Sequence, residues 1–153
     1  MSVGGPAYVL NMDEIMAAVA KGQAGQRAEA ARELKALWDD AGDDALQRVT
    51  IAHHLADLQD DLAAELLWDQ RALMAVAALT DSRVGDFNDA LEVRAFLPSL
   101  HLNLADVHHR LGHESAARTH LASAQSFIDA LADDGYGSMI RSGITNLEAR
   151  LSA

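Results

Sequence analysis

The chain has 153 residues, half of them hydrophobic, and contains no cysteine. This length is enough to bury one hydrophobic core and falls in the usual range for a single domain. The lack of cysteine excludes disulfides, thiol catalysis and metal sites that depend on cysteine ligands.

With 23 acidic and 12 basic residues the formal net charge is −11. We therefore expect no nucleic-acid partner and no membrane partner, because phosphate backbones and anionic lipids repel such a chain. A basic partner is favoured, although the acidic excess can serve solubility alone.

The first ten residues, MSVGGPAYVL, carry no lysine or arginine and no long apolar segment. They therefore do not resemble a secretory signal. No window approaches the roughly 18 uninterrupted apolar residues that identify a membrane-spanning helix. We expect a soluble protein, and the absence of cysteine fits a cytoplasmic location.

The residues that favour helix are abundant and strand-forming patterns are nearly absent, so the predicted class is all-α. We expect an N-terminal tail over residues 1–10 and one helical domain over residues 11–153. The first helix is predicted to begin after Asn11, which can form a capping box with Glu14, and to end near Lys21.

Glycine and aspartate residues mark the next two helices. Gly25 and Gly42 bracket a predicted helix over residues 27–40. Asp43 or Asp44 is expected to cap the third helix. Its predicted core face is an apolar stripe with helical spacing, formed by Ile51, Leu55, Leu58 and Leu62.

A fourth helix is predicted over residues 62–79, followed by a loop at residues 80–89, TDSRVGDFND, which is rich in turn-forming residues. A short helix is expected to follow at residues 90–96. Pro98 suits the first turn of the next helix, and Gly112 suits its end.

The C-terminal part is predicted to hold two more helices. The first continues to Leu131, and Gly135-Tyr136-Gly137 is expected to end it. Ser138 is the predicted cap of the last helix, over residues 139–151. An apolar stripe supports that helix: Ile140, Ile144, Leu147 and Leu151.

Two segments of the chain are similar to each other: HLADLQDDLAAELL, from His54, and NLADVHHRLGHESA, from Asn103. The second segment lies in a hairpin that resembles a tetratricopeptide repeat at its helix contacts and turn. The residues that carry the resemblance are Leu104, Ala105, Gly112, Ala117 and Ala124. Gly25, Ala30 and Leu34 fit the same scheme in the first hairpin. In the second hairpin, Trp68 and Ala72 exchange the usual positions of the small and the large residue.

The stretches LADLQDD, WDQRAL, PSLHLNLADVHHRLG and DDGYGSMIR are also similar to a group of actinobacterial proteins with this repeat. The resemblance implies an all-α, right-handed array of about three antiparallel helical hairpins with a C-terminal capping helix. It implies a bacterial cytoplasmic protein and no particular activity.

In tetratricopeptide repeats the first helix of each hairpin lines a concave groove. The resemblance therefore implies groove residues in two helices. The second hairpin would contribute His53, His54, Asp57, Asp60 and Asp61, and the third would contribute Asn103, Asp106, His109 and Arg110. Such an acidic, histidine-containing groove can receive a basic peptide or partner protein without catalysis. Each of these residues can equally be an ordinary solvated position on a helix.

The histidines raise the question of a metal site. His109 and His113 have the spacing of two ligands on one helix, but Gly112 is expected to end the helix between them. No zinc-protease or di-iron pattern occurs, so we expect no metal and no cofactor. The alternative function that stays open is a small-molecule or metal-binding helical protein that uses its histidines and tryptophans.

No residue pattern specifies a catalytic site. The glycines do not form a phosphate-binding loop, and the order of Ser, His and Asp residues does not distinguish a triad from chance. We therefore expect no enzyme. A homodimer is left open because short helical arrays expose apolar ends. The apolar strip of the first helix, Met12, Ile15, Met16 and Val19, can be either core or a docking surface.

Overall fold

A computed structural model describes residues 4–81 and 95–152, and the side chains of residues 11–78 and 95–152 within them. These residues form helices and no strand, which confirms the all-α prediction. The helices are α1 (Gly4–Gln23), α2 (Arg27–Asp40), α3 (Ala45–Asp57), α4 (Leu62–Asp81), α5 (Leu97–Arg110), α6 (Glu114–Ser126), a 3₁₀ turn (Ile128–Ala130) and α7 (Gly135–Ser152). None of these helices is both long and apolar enough to cross a bilayer.

The chain divides into two compact units, Met1–Ala75 and Val76–Ala153. In the first unit, α1 and α2 pack against each other and α3 packs against both. Completely buried apolar side chains from all three helices form its core: Ile15, Ala18, Ala30, Leu34, Val49, Ile51 and Leu55. The apolar strip of α1 is therefore divided, because Ile15 is core whereas Met16 is 50% exposed.

The two tryptophans lie together in this unit. The Trp38 and Trp68 rings meet edge to face with centroids 5.2 Å apart. An arginine covers each ring, with the Arg48 guanidinium carbon 3.8 Å from the Trp38 centroid and that of Arg71 4.5 Å from the Trp68 centroid. Trp68 is 7% exposed and Ala72 is completely buried, so the exchanged large and small residues both contribute to the core.

The second unit also contains a pair of helices with a third helix packed on both. Helices α5 and α6 pack against each other, and α7 packs against both. The shared core consists of Ala105, Ala117, Leu121, Ala124, Leu131, Ile140, Ile144, Leu147 and Leu151. Gly143 of α7 lies directly over Leu102 of α5, because a Cβ atom at this glycine would lie 2.8 Å from a Leu102 methyl carbon. Small residues thus set the close approach of these helices.

The same turn joins α1 to α2 and α5 to α6. Gly25 and Gly112 both have positive φ, +99° and +83°. The next residue in each turn donates its backbone N–H to a carbonyl five residues earlier: Gln26 to Lys21 at 2.9 Å, and His113 to His108 at 2.8 Å. This is the hydrogen bond of a Schellman motif, which requires a residue with left-handed conformation at the glycine position. Five residues after each glycine, at positions 30 and 117, a completely buried alanine follows.

Several predicted boundaries agree with the structure. Helix α2 has the predicted bounds, and Asp44 caps α3 by accepting the backbone N–H of Gln47 at 3.0 Å. Pro98 lies in the first turn of α5. Helix α4 ends two residues later than predicted. The rest of the predicted loop and most of the predicted short helix at residues 90–96 lie outside the described residues.

The start of α1 was predicted eight residues too late. It begins at Gly4, and Asn11 lies inside the helix. The predicted tail at residues 1–10 is therefore helical from Gly4 onward. Pro6 is compatible with this start, because the first turn of a helix has no intrahelical partner for its backbone N–H groups.

The boundary between the last two helices was also predicted incorrectly. Helix α6 ends at Ser126, and α7 already begins at Gly135. Its cap is Asp134, whose Oδ1 accepts the backbone N–H of Gly137 at 2.8 Å, and Ser138 lies inside the helix. A Cβ atom at Gly137 would clash with the backbone carbonyl oxygen of Ala132. This glycine therefore permits a close backbone approach, and it does not end a helix.

Candidate functional site

The predicted histidines of α3 lie mainly inside the protein. His53 is 8% exposed and His54 is half-buried, with their ring centroids 5.4 Å apart. Burial lowers the pKa of His53 to about 4, and burial together with the neighbouring His53 lowers the pKa of His54 to about 4. Both imidazoles are therefore neutral at pH 7, and His53 is part of the interior and not of a surface groove.

The predicted aspartates lie at the turn from α3 to α4. Asp57, Asp60 and Asp61 are exposed, and we refer to these three as the acidic turn. Arg27 of α2 donates to the backbone carbonyl of Asp57 at 3.1 Å and lies 3.8 Å from an Asp60 carboxylate oxygen. Asp61 caps α4 by accepting the backbone N–H of Ala64 at 3.0 Å. The turn thus carries three acidic side chains, and Arg27 is the cation that lies beside Asp60.

The predicted groove residues of α5 have a different electrostatic environment. Asp106 accepts the Arg110 Nε at 3.0 Å and lies 3.3 Å from an Arg150 nitrogen of α7. Its charge is therefore compensated by two arginines. Asn103 is half-buried. His109 is also half-buried, and its Nδ1 atom has no hydrogen-bond partner within the described part of the chain. This face of α5 is not acidic.

A row of neighbouring aromatic rings connects α5 to α6. Four imidazoles, which we call the histidine ladder, follow one another in the order His101, His120, His108 and His113. Their successive ring centroids are 5.3, 5.4 and 5.3 Å apart. Phe127 extends the row, stacked on His101 at 5.8 Å. His101 and His108 are each 9% exposed, so the ladder is partly enclosed.

Two hydrogen bonds lie within the ladder. The Nδ1 atoms of His101 and His120 are 3.1 Å apart, and so are the Nδ1 atoms of His108 and His113. Burial and the neighbouring His120 lower the pKa of His101 to about 4. Burial and an adjacent histidine also lower the pKa values of His108 and His120. His101, His108 and His120 are therefore neutral at pH 7.

The sequence does contain a signal for this ladder, a seven-residue spacing of aromatic rings, which is recognised only when the two helices are compared. His101 and His108 are seven residues apart on α5. His113, His120 and Phe127 also follow one another at intervals of seven residues, from the N-cap to the C-cap of α6. A spacing of seven places residues on one face of a helix. When two helices face each other, side chains with this spacing on one helix can interleave with those on the other. The rings of the ladder are interleaved in this way.

The described residues contain no group of three or more His, Asp or Glu side chains that could hold a metal ion. Each Nδ1 pair of the ladder supplies two nitrogens, whereas protein zinc sites commonly use three or four ligands. The predicted pair of His109 and His113 is also separated, since His113 bonds to His108. The described residues therefore form two features: a hydrogen-bonded row of histidines between α5 and α6, and an acidic turn between α3 and α4.

Comparison with known proteins gives no match to a protein-family model, a curated protein or a solved structure. The tetratricopeptide resemblance therefore stays a prediction.

Proposed function

We propose that this protein is a non-catalytic interaction module, built as a tetratricopeptide-like array, that binds a basic segment of a peptide or partner protein at its acidic turn. The observation that carries the proposal is the acidic turn itself. Asp57, Asp60 and Asp61 are exposed, and Arg27 is the cation that lies beside Asp60. The formal charge of −11 for the whole chain favours the approach of a basic partner at long range.

The array is supported by features that recur in the chain. The turns at Gly25 and Gly112 share their backbone conformation and hydrogen bonding. Ala30 and Ala117 occupy the same place after these turns, where small residues allow two helices to approach closely. In each unit a third helix packs on the pair, and α7 would serve as the capping helix of such an array. Repeats of this kind commonly act through surfaces and not through chemistry.

The acidic turn is a more suitable binding surface than the predicted groove residues of α5. Asp106 is already held by Arg110 and Arg150, so a partner cation would have to displace an arginine. The side chain of Asp60 is 99% exposed, and the Arg27 nitrogen lies 3.8 Å from its carboxylate oxygen. An incoming lysine or arginine can therefore pair with Asp60 at little desolvation cost.

The test is a binding comparison of three proteins: the wild type, Asp57→Lys/Asp60→Lys, and Asp39→Lys/Asp40→Lys. The control pair lies in the last turn of α2, is exposed, and changes the net charge by the same amount. Asp61 is left intact because it caps α4. Each protein is immobilised and exposed to a library of bacterial peptides, and retained sequences are resynthesised and titrated by calorimetry.

We expect the wild type and the control to retain Lys- and Arg-rich peptides. The acidic-turn variant should bind these peptides roughly ten-fold or more weakly, because its new charges repel them. Equal weakening in both variants would show an effect of net charge alone and would contradict a site at this turn. Retention of no basic peptide by the wild type would also contradict the proposal.

A further inference from the structure

The histidine ladder forms part of the contact between α5 and α6. Every neighbouring pair of rings contains one residue of α5 and one residue of α6 or of its two cap positions, His113 and Phe127. His101 lies between Phe127 and His120, and His108 lies between His120 and His113. The helix contact thus includes five interleaved rings. Any change that separates these rings acts directly on this helix pair.

The two Nδ1 pairs place a strict condition on the protons of the ladder. A neutral imidazole carries one N–H group, on either Nδ1 or Nε2. A hydrogen bond between two Nδ1 atoms 3.1 Å apart therefore needs one ring with its proton on Nδ1 and one with its proton on Nε2. Each pair can hold a single proton between its Nδ1 atoms. The pairs His101–His120 and His108–His113 both meet this condition only while at least one member is neutral.

Protonation of both members removes the hydrogen bond. Two imidazolium rings would direct two N–H groups at each other across 3.1 Å and would carry like charges. The stacking of His108 on His120 at 5.4 Å then brings the charges of the two pairs close together. Because His101 and His108 are 9% exposed, water screens this repulsion only partly.

The charged groups on the packed elements have other partners or stay exposed. Asp106 of α5 is paired with Arg110 and with Arg150 of α7. Arg118 of α6 donates to the backbone carbonyl of Leu151 in α7, and Asp129 of the 3₁₀ turn is exposed. The electrostatic influences on the pKa values of His101, His108 and His120 come from other ladder histidines, and all of them lower these pKa values.

We propose that the histidine ladder is an acid-sensitive clasp that holds α5 against α6 while its imidazoles are neutral and opens this helix pair when both members of a pair are protonated. The clasp is a regulatory property of the second unit and does not depend on the proposed partner at the acidic turn. The opened helices take up more protons than the closed ones, so closure is favoured at neutral pH. It weakens as the pH falls below the ordinary histidine pKa of about 6.5.

The experiment is amide hydrogen exchange, read by mass spectrometry on the full chain between pH 7.5 and pH 4.5 and corrected for the intrinsic exchange rate. The ladder variant is His101→Phe/His120→Phe, which keeps two stacked rings and replaces both partners of one hydrogen bond. The control is His109→Gln, which removes a histidine of α5 outside the ladder. All samples contain a chelator, so that metal ions do not contribute.

In the wild type and in His109→Gln, we expect peptides of α5 and α6 to lose roughly ten-fold or more of their protection between pH 6.5 and pH 4.5. His101→Phe/His120→Phe should lose clearly less over the same range. Equal loss in all three proteins, or no loss in the wild type, would overturn the clasp. If the double variant does not fold, His120→Phe alone replaces it, and the wild-type profile still decides, because protection that is unchanged down to pH 4.5 contradicts the clasp.

Discussion

The helix pairs α1–α2 and α5–α6 have the same turn but different side chains across their contact. Both turns have a glycine with positive φ and a Schellman hydrogen bond. Across α1–α2, Lys21 donates to Glu33 at 2.6 Å and lies 3.5 Å from Glu29. Across α5–α6, the corresponding polar contact is the histidine ladder. The backbone scheme therefore does not determine which polar groups join the helices.

This difference has a consequence for the response to pH. Glu33 and neighbouring acidic groups raise the pKa of Lys21, so an ammonium–carboxylate pair persists over the whole range between the carboxylate and lysine pKa values. The ladder instead needs neutral imidazoles, whose ordinary pKa is about 6.5. Two helix pairs of the same design thus differ in whether mild acid can separate them.

The largest effects are expected from the core leucines that lie nine residues after each turn glycine. Leu34 is completely buried and Leu121 is 7% exposed. Leu34→Ala and Leu121→Ala should each lower the free energy of unfolding by about 3 kcal/mol, because each leaves a cavity. Urea unfolding followed by circular dichroism measures this. Lys35→Ala, at an exposed neighbouring position, is the control. A cost below about 1 kcal/mol at only one of the two leucines would contradict their equivalence.

The next effect is the acid sensitivity that His53 confers on the first unit. Its pKa is about 4 in the fold because of burial, and about 6.5 in the unfolded chain. The unfolded chain therefore binds the proton first, and stability present at pH 7 is lost as the pH falls from 6.5 towards 4. We expect this residue alone to contribute a loss on the order of 3 kcal/mol. Urea unfolding of the wild type and His53→Leu at several pH values measures the difference, and parallel pH slopes would exclude this role.

Substitution of the turn glycines should have a smaller and equal effect in both pairs. A Cβ atom at Gly25 or Gly112 meets nothing within 4 Å, so the cost of Gly25→Ala or Gly112→Ala is backbone strain alone, about 1 kcal/mol. Gly135→Ala is the control, because that glycine also has open space and its φ is not positive. Thermal unfolding compares the three. Costs that differ more than two-fold between the turns would show that they are not equivalent.

The smallest effect is expected at the charged contact of α1–α2. The side chains of Lys21 and Glu33 are 39% and 37% exposed, and exposed ion pairs contribute little because solvent and salt screen them. Glu33→Gln should therefore change the unfolding midpoint only slightly, and the change should vanish in about 1 M NaCl. A large, salt-independent loss would mean that this contact holds the pair as strongly as the apolar core.

The sequence predicted the helices whose ends are marked by local chemistry. The bounds of α2 and the cap of α3 follow from glycines and aspartates that act within one turn. The start of α7 could not be predicted in this way, because Asp134 and Ser138 are both residue types that cap helices. Which of them is the cap depends on the close approach of the Ala132 backbone to Gly137. The individual ladder histidines are visible in the sequence, but their pairing depends on the register of α5 against α6. The burial of His53 likewise depends on the packing of α3.

The most direct test of the difference between the two helix pairs is the protonation state of the imidazoles at pH 7.5. Long-range nitrogen–proton correlation spectra of the ¹⁵N-labelled protein distinguish the Nδ1–H from the Nε2–H tautomer. Each pair, His101 with His120 and His108 with His113, should contain one ring of each kind, as their Nδ1 separation of 3.1 Å requires. Four Nε2–H tautomers would contradict the ladder, because no Nδ1 atom would then have a proton to share.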